Sequence, residues 1–424
     1  MATAPSFVID NIRIFTGEEV IENGYVYVSD GVIVEVRSGS IPSDTDSSIE
    51  RISKPGHTLL PGFIDAHVHA WRGDETALVL ALKFGITTVL DMHLEPPYVK
   101  KLKALCADKQ NDSLYADFFT AGLGAATGEG YPEIIMTDWI GTPSALADMA
   151  LWPKLKSVAD VKSYIRDSIT QGSDYIKIFH ESGKPMGMEL KLPSIELLTA
   201  IIEEAHTNNL KVVAHAQTVE DTIAVLNCGT NGLAHSCCDV KPTEALVKAY
   251  QRRNAWCCPT LAATAMFTEE EREKAFKYAK DPRIVDIVGE EESKRLCKCM
   301  SHFKGHAELK HAVDSVKMLH AAGIDIVCGS DSVGSGKLGI GWGSSFHHEL
   351  SMLVDNVGMS TIDALKTATI NPAKRFGLSD RGIIKTGYRA DLALFDGNPL
   401  ENIDHTMNCK AVWKSGTLSM YSKK

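Results

Sequence analysis

Between residues 59 and 331 the chain repeats one alternation: a short apolar run, then a stretch with helical spacing, then another apolar run. The runs read "LLPGFIDAHVH", "ITTVLDMH", "LYADFFTAGL", "YIKIFH", "KVVAHA", "GLAHS", "AWCCPT" and "IDIVCGSD". Runs of this length alternating with helices predict parallel strands joined by helical crossovers. Eight of them predict an α/β fold, a (β/α)8 TIM barrel. The helices carry their own punctuation. "PSIELLTAIIEEAHTNN" opens on Pro and Ser, and "KHAVDSVKMLHAAG" closes at Gly323.

The two ends of the chain have a different grammar. "FVIDNIRIF", "GYVYVSDG" and "VIVEVRSG" near the start, and "GIIKTGYRADLALFDG" and "KAVWKSGTLSM" near the end, are strand-like segments split by Gly and Asp turns. The expected organisation is an N-terminal part of a small β-sandwich over residues 1–56, the barrel over 57–371, and the C-terminal part of the sandwich over 372–424. A length of 424 residues exceeds what one core normally fills, which agrees with a large domain plus a small one. Residues 122–152, Gly-rich at their start and carrying Tyr131 and Trp139, are too long for an ordinary connection and suit a lid over a barrel mouth.

Bulk properties exclude several classes. A net charge of -10 argues against nucleic-acid and anionic-membrane partners. No run reaches the ~18 apolar residues of a membrane-spanning helix. "MATAPSFVID" lacks the regions of a signal peptide, and "YSKK" is not a peroxisomal S-K-L, so a cytoplasmic location is expected. The ten cysteines include Cys237-Cys238, Cys257-Cys258 and Cys297-x-Cys299 but no C-x-x-C pair, and reduced, mostly buried thiols are expected.

In a barrel of this kind chemistry sits where strands end. The polar residues closing the apolar runs are His67 and His69, Lys177, His215, His235 and Asp331. His67 and His69 are two apart on a strand, so their rings share one face and can converge on a metal. Burying six such groups without partners would cost about a few kcal/mol each, which a metal or a hydrogen-bond network would offset.

With "PGFIDAHVH", the strand lysine, the two later histidines, the aspartate and the ending "TINPAKRFGL…GIIKTGYRADLALFD", the sequence resembles the metal-dependent amidohydrolase superfamily. Within it the pattern is similar to the imidazolonepropionase-like and Xaa-Pro dipeptidase-like branch, which includes ochratoxin-hydrolysing amidohydrolases. The resemblance implies that His67, His69 and Asp331 hold the more buried of two divalent metal ions and His215 and His235 the more exposed one. An N-carboxylated Lys177 would bridge them. Zinc fits the nitrogen and oxygen ligands best, and manganese, iron or cobalt would also fit. The implied activity is hydrolysis of a C-N bond in a small amide such as an N-acyl amino acid, a dipeptide or an ochratoxin-like amide. A metal-bridging hydroxide would attack, and Asp331 would serve as general base and then acid. The same site would also serve a cyclic amide, a lactone or an ester-like carbonyl; single-metal deamination and a non-catalytic binding role are the remaining alternatives. By the same analogy the protein is expected to be a homo-oligomer.

Around these residues, His93 and His180 are candidate substrate contacts, with Tyr131 and Trp139 from the lid. Asp91 is expected to orient a loop or a ligand histidine. "SVGSGKLGIGWG" is not a phosphate loop, because Asp331 stands where the first Gly is needed and Leu338 where Ser or Thr is needed. His302 and His306 are expected on an exposed polar helix that lacks the Glu of H-E-x-x-H, and "TEEEREK" as a solvated helix start.

Overall fold

The computed structural model describes residues 5–43, 46–139, 142–298, 307–334 and 339–422, apart from the side chains of residues 138 and 139. Five strands open the chain: β1 (Phe7–Phe15), β2 (Val20–Ser29), β3 (Val32–Ser38), β4 (Glu50–Ser53) and β5 (His57–Pro61). The β2–β3 hairpin turns on Asp30-Gly31, both with positive φ, the two-residue turn that matches the twist of paired strands. The middle carries β6 (Phe63–His69), β7 (Ile86–Asp91), β8 (Asp117–Thr120), β9 (Ile176–Phe179), β10 (Val212–His215), β11 (Gly232–Ala234), β12 (Trp256–Cys258) and β13 (Ser332–Val333). Three strands close the chain: β14 (Leu392–Asp396), β15 (Cys409–Lys414) and β16 (Thr417–Leu418).

Strands from both ends share one eight-stranded sheet in the order β16-β15-β14-β5-β1-β2-β3, with β4 also on β1. Because β5 pairs with both β1 and β14, this sheet continues to Pro61, past the boundary at residue 56 read from the sequence. His57-Thr58-Leu59 had no turn signal separating them from the run that follows. The sheet curls over its own apolar face. Phe7 of β1 stacks on Trp413 of β15 at 5.6 Å although β14 and β5 lie between those strands in hydrogen-bonding order.

The middle is α/β, with two four-stranded sheets, β13-β6-β7-β8 and β12-β11-β10-β9, whose paired strands run parallel. Main-chain bonds link the two sheets on both sides. Asp174 N donates to Thr120 O (2.8 Å) and Ala125 N to Lys177 O (2.8 Å); on the other side Val327 N donates to Cys257 O (2.9 Å) and Ala66 N to Cys328 O (2.9 Å). The run 324–331, expected as a full strand, therefore makes scattered bridges to its two neighbours instead of a continuous ladder, and β13 begins only after Asp331. Helices pack outside. In Ile195–Thr207, Ser194 caps Leu197 N, and Leu197, Leu198, Ile201, Ile202 and Ala205 form the buried stripe. Residues 122–152 include two short helices, Glu133–Trp139 and Pro143–Met149, where the sequence suggested a loop.

Strand alternation decides which side chains face inward. On β10, Val212 and Ala214 pack on the helices, while Val213 joins the cluster enclosed by the strands and His215 shares its side. On β6 the alternation breaks. Ile64 and Ala66 are enclosed and Phe63 and Val68 face the helices, but between Asp65 and Val68 the strand holds one residue more than β7 opposite. This bulge changes the parity, so that His67 and His69 turn inward after Ala66.

Where the eight-stranded sheet meets β8, Asp117 gathers three cations. Its carboxylate lies 3.0 Å from Lys414 Nζ and 2.6 Å from both Arg381 and Arg389; Lys414, 0% exposed, also reaches Asp112 at 2.9 Å. Burial alone would raise the Asp117 carboxyl, but Arg389, Lys414 and Arg381 outweigh it and hold it well below the usual carboxylate range. Removing the anion leaves buried cations uncompensated, so Asp117→Asn should cost about 3 kcal/mol in denaturant unfolding at pH 7. A carboxyl depressed in the folded state contributes fully above its unfolded value of about 3.9 and loses that contribution as pH falls toward the folded value. The gap between wild type and Asp117→Asn should therefore narrow steadily below pH 4 in the same assay.

Candidate metal centre

His67 and His69 leave the end of β6, and Asp331 comes from the bridge strand beside it. His67 Nε2 lies 3.3 Å from His69 Nε2, and both nitrogens lie 3.2 Å from Asp331 Oδ1. Nitrogen and oxygen donors about 2.0–2.1 Å from a tetrahedral zinc are separated by about 3.3–3.4 Å, so this triangle has the dimensions of one face of such a site. Gly329 permits the approach: a Cβ there would lie 2.3 Å from Cys258 Sγ and 2.7 Å from His67 Cβ.

The other strand-end residues gather around this face. The His235 ring is 5.0 Å from that of His67 and 4.6 Å from that of His215. Lys177, 2% exposed, points inward from β9; burial lowers its amine to about 8, with Asp331 acting in the opposite sense. Burial also lowers His67 to about 3. Burial would raise Asp331, but His67, His69 and His235 prevail and hold it well below the carboxylate range. Imidazole nitrogens and carboxylate oxygens thus meet in one place, which is the donor set a divalent ion requires.

Two of these positions depend on uncommon backbone. His235 has φ 80° and Asp331 φ 54°, left-handed values that bulky side chains rarely adopt. On β11, Ala234 already faces the enclosed cluster, so plain alternation would send His235 outward. The left-handed residue returns it, and its Nδ1 is held 2.7 Å from Thr260 Oγ1, leaving Nε2 free. Strain of this kind, at a strand end and held by surrounding contacts, marks functional positions.

Buried carboxylates fix the strand ends beneath. Asp65 accepts from His67 N (3.2 Å), Ser330 N (3.0 Å) and Ser330 Oγ (2.6 Å). Asp91 accepts from Ala70 N (2.7 Å), His93 N (3.1 Å) and Thr120 Oγ1 (3.0 Å), consistent with the orienting role expected of it. Burial pushes both carboxyls up to about 7.

An aromatic layer lies above. Tyr131 stacks on His215 with centroids 4.1 Å apart and touches Phe179 at 5.7 Å. Trp152 packs edge-on against His93 at 4.5 Å and donates Nε1–H to Glu95 (2.9 Å). Trp342 Nε1 donates to His69 O (3.3 Å). His93 accepts from Gly124 N at Nδ1 (3.1 Å), so its remaining proton is on Nε2, 4.0 Å from Glu95. Tyr131 and His93 therefore border the cluster.

His180 does not. It follows Phe179 on the opposite side of the strand, with its ring 3.9 Å from Asp221, so the alternation that brings Lys177 and Phe179 inward takes His180 away from the cluster. The side chain of Trp139, His302 and His306, Cys299, and residues 335–338 lie outside the described residues. None of the nine described cysteines is in a disulfide, and six of them are buried.

Sequence reasoning missed Asp65, Phe179, Glu181, Thr260, Ser330, Trp152 and Trp342. Period-two counting onward from Lys177 would have found Phe179 and Glu181. Asp65 and Ser330 sit inside the very runs that ended in candidates, and their polarity in an apolar context was the available signal.

The sequence profile of the amidohydrolase family matches residues 58–418. The ochratoxinase of Aspergillus niger is 25% identical over 292 residues, 66% of this chain and 52% of that protein. The allantoinase of Saccharomyces cerevisiae is 28% identical over 216 residues, 43% of this chain and 42% of that protein. The chain thus spans about half the length of the ochratoxinase it matches. Among solved structures, a Xaa-Pro dipeptidase with methionine bound in its active site superposes with a TM-score of 0.75 at 20% identity, covering 97% of this chain and 99% of that one. The A. niger ochratoxinase structure gives 0.74 at 19% identity, with 98% and 96% covered. These structural likenesses establish a shared fold, and the profile match establishes more: the chain belongs to the amidohydrolase family.

Proposed function

We propose that this protein hydrolyses the amide C-N bond of a small molecule at a centre of two divalent ions, most simply zinc, with its two linked parallel sheets forming one closed (β/α)8 barrel. The observation that carries the reading is the triangle of His67 Nε2, His69 Nε2 and Asp331 Oδ1, with edges of 3.2–3.3 Å, beside buried Lys177, His215 and His235. His67, His69 and Asp331 would hold one ion, and His215 and His235 the second. Lys177 would serve both as a carbamate, since an ammonium has no electron pair to offer a metal. When bound, the ions supply Lewis acidity and lower the pKa of water.

The chain's own groups do the rest. Asp331, 3.2 Å from both His67 Nε2 and His69 Nε2, would accept a proton from the attacking water and pass it to the leaving nitrogen. The layer of Tyr131, Phe179 and Trp152 excludes water and favours a substrate with a bulky planar or apolar group beside the scissile bond. Ochratoxin-like amides have such groups, as do N-acyl amino acids and dipeptides that carry an aromatic or large apolar side chain. We place the enzyme in the cytoplasm, where the nine described cysteines, none of them in a disulfide, would remain reduced, and expect it to assemble from copies of itself. No described helix is long and apolar enough to cross a membrane.

Elemental analysis of protein purified without chelator should find about two transition-metal ions per chain, and Lys177→Ala should lose at least one; two ions retained in that variant would remove the lysine from the centre. Asp331→Asn should lower kcat on any turned-over amide by at least about 10²-fold. Full turnover in an Asp331→Asn protein that keeps its metals would rule out its proton-transfer role. A panel of N-acyl amino acids and dipeptides against cyclic amides and lactones tests the bond: turnover confined to the cyclic compounds would overturn the linear-amide reading.

A further inference from the structure

Glu181 is a fully buried carboxyl group beside the cluster that the proposed chemistry does not use. It lies four residues beyond Lys177, and period-two alternation through Phe179 brings it to the inner side. Its side chain is 0% exposed. One oxygen lies 3.2 Å from His215 Nε2, and the other accepts from Gly183 N at 2.8 Å. The segment that carries it is pinned from outside: Ser182 donates its amide (3.2 Å) and its hydroxyl (2.6 Å) to Asp221, and Leu190 N donates to Ser182 O (2.9 Å).

Burying a carboxylate is unfavourable unless its bonds are well made, so this placement calls for a role beyond filling space. An imidazole that donates its Nε2 proton to a carboxylate presents an unprotonated Nδ1 on its other edge. His235 is held the opposite way, with Nδ1 on Thr260 and Nε2 free. Tyr131 covers the face of the His215 ring at 4.1 Å, so hydrogen bond and stack together leave the ring one orientation.

We propose that Glu181 is a positioning residue for His215: by fixing the ring's tautomer and direction it sets how tightly the protein retains the second divalent ion. This rests on the two-ion reading above. Partners of this kind act on metal affinity by about 10- to 100-fold.

The test uses full-length wild type, Glu181→Leu and Glu181→Gln, each titrated with zinc in competition with chelators of graded strength. Wild type should bind two ions. Glu181→Leu, which removes the acceptor, should bind the second about 10- to 100-fold more weakly and leave the first unchanged. Glu181→Gln, which keeps an acceptor oxygen, should restore most of that affinity. A purely structural glutamate would instead lower the melting temperature of metal-free Glu181→Leu with no change in zinc affinity, and that result would overturn the proposal. Wild type that binds a single ion would overturn the two-ion reading itself, which separates the two failures. Should Glu181→Leu not fold, the histidine side-chain 1H–15N spectrum of metal-free wild type, with His215 assigned by its loss in His215→Gln, decides the question. A proton on Nε2 supports the proposal, and one on Nδ1 overturns it.

Discussion

The geometry of the cluster depends on one carboxyl group, Asp65, which ties β6 to the segment that leads into β13. Its two oxygens accept the amide of His67 and both the amide and hydroxyl of Ser330, the residue before Asp331. Two segments separated by some 260 residues of sequence are thereby held so that His67, His69 and Asp331 meet within hydrogen-bonding distance. Such bonds are effective because they are buried: an unpaired carboxylate there would be costly, and a fully bonded one is hard to displace. Asp91 repeats the device one strand along, holding the amide after His69, the amide of His93 and the Thr120 hydroxyl.

Above this base, residues 122–152 supply a cover of aromatic rings. Tyr131 covers His215 and Trp152 covers His93, so a single connecting segment roofs two different strand ends. The base is held mainly by hydrogen bonds to main-chain amides, whereas the Tyr131 and Trp152 rings of the roof meet the histidines by ring contact, with the Trp152 indole also bonded to Glu95. The first kind of contact fixes positions to tenths of an ångström. The second tolerates exchange of one large apolar group for another.

Much of this was legible in the sequence because strand and crossover patterns are local. The alternation of apolar runs and helices, the strand-rich ends and the polar residues closing each run all appear in the structure. What stayed hidden was parity. His67 and His69 share a face as H-x-H suggests, but they face inward only because β6 bulges between Asp65 and Val68. His235 and Asp331 face inward through left-handed backbone, which nothing in "GLAHS" or "CGSD" announces. The same counting, applied without a bulge on β9, directs Glu181 to the cluster and His180 away from it. The run ending at Asp331 could not be recognised as bridging rather than laddered, because that depends on neighbours distant in sequence.

The ion network at Asp117 sits at the first residue of β8, whereas the imidazoles and Asp331 lie where strands end. Across a strand, anchorage and chemistry are thus held apart. Loops at the mouth can lengthen, shorten or change composition without disturbing the linkage that fastens the eight-stranded sheet to the middle of the molecule. A chain built this way can acquire new substrates at one pole while its folding remains governed at the other.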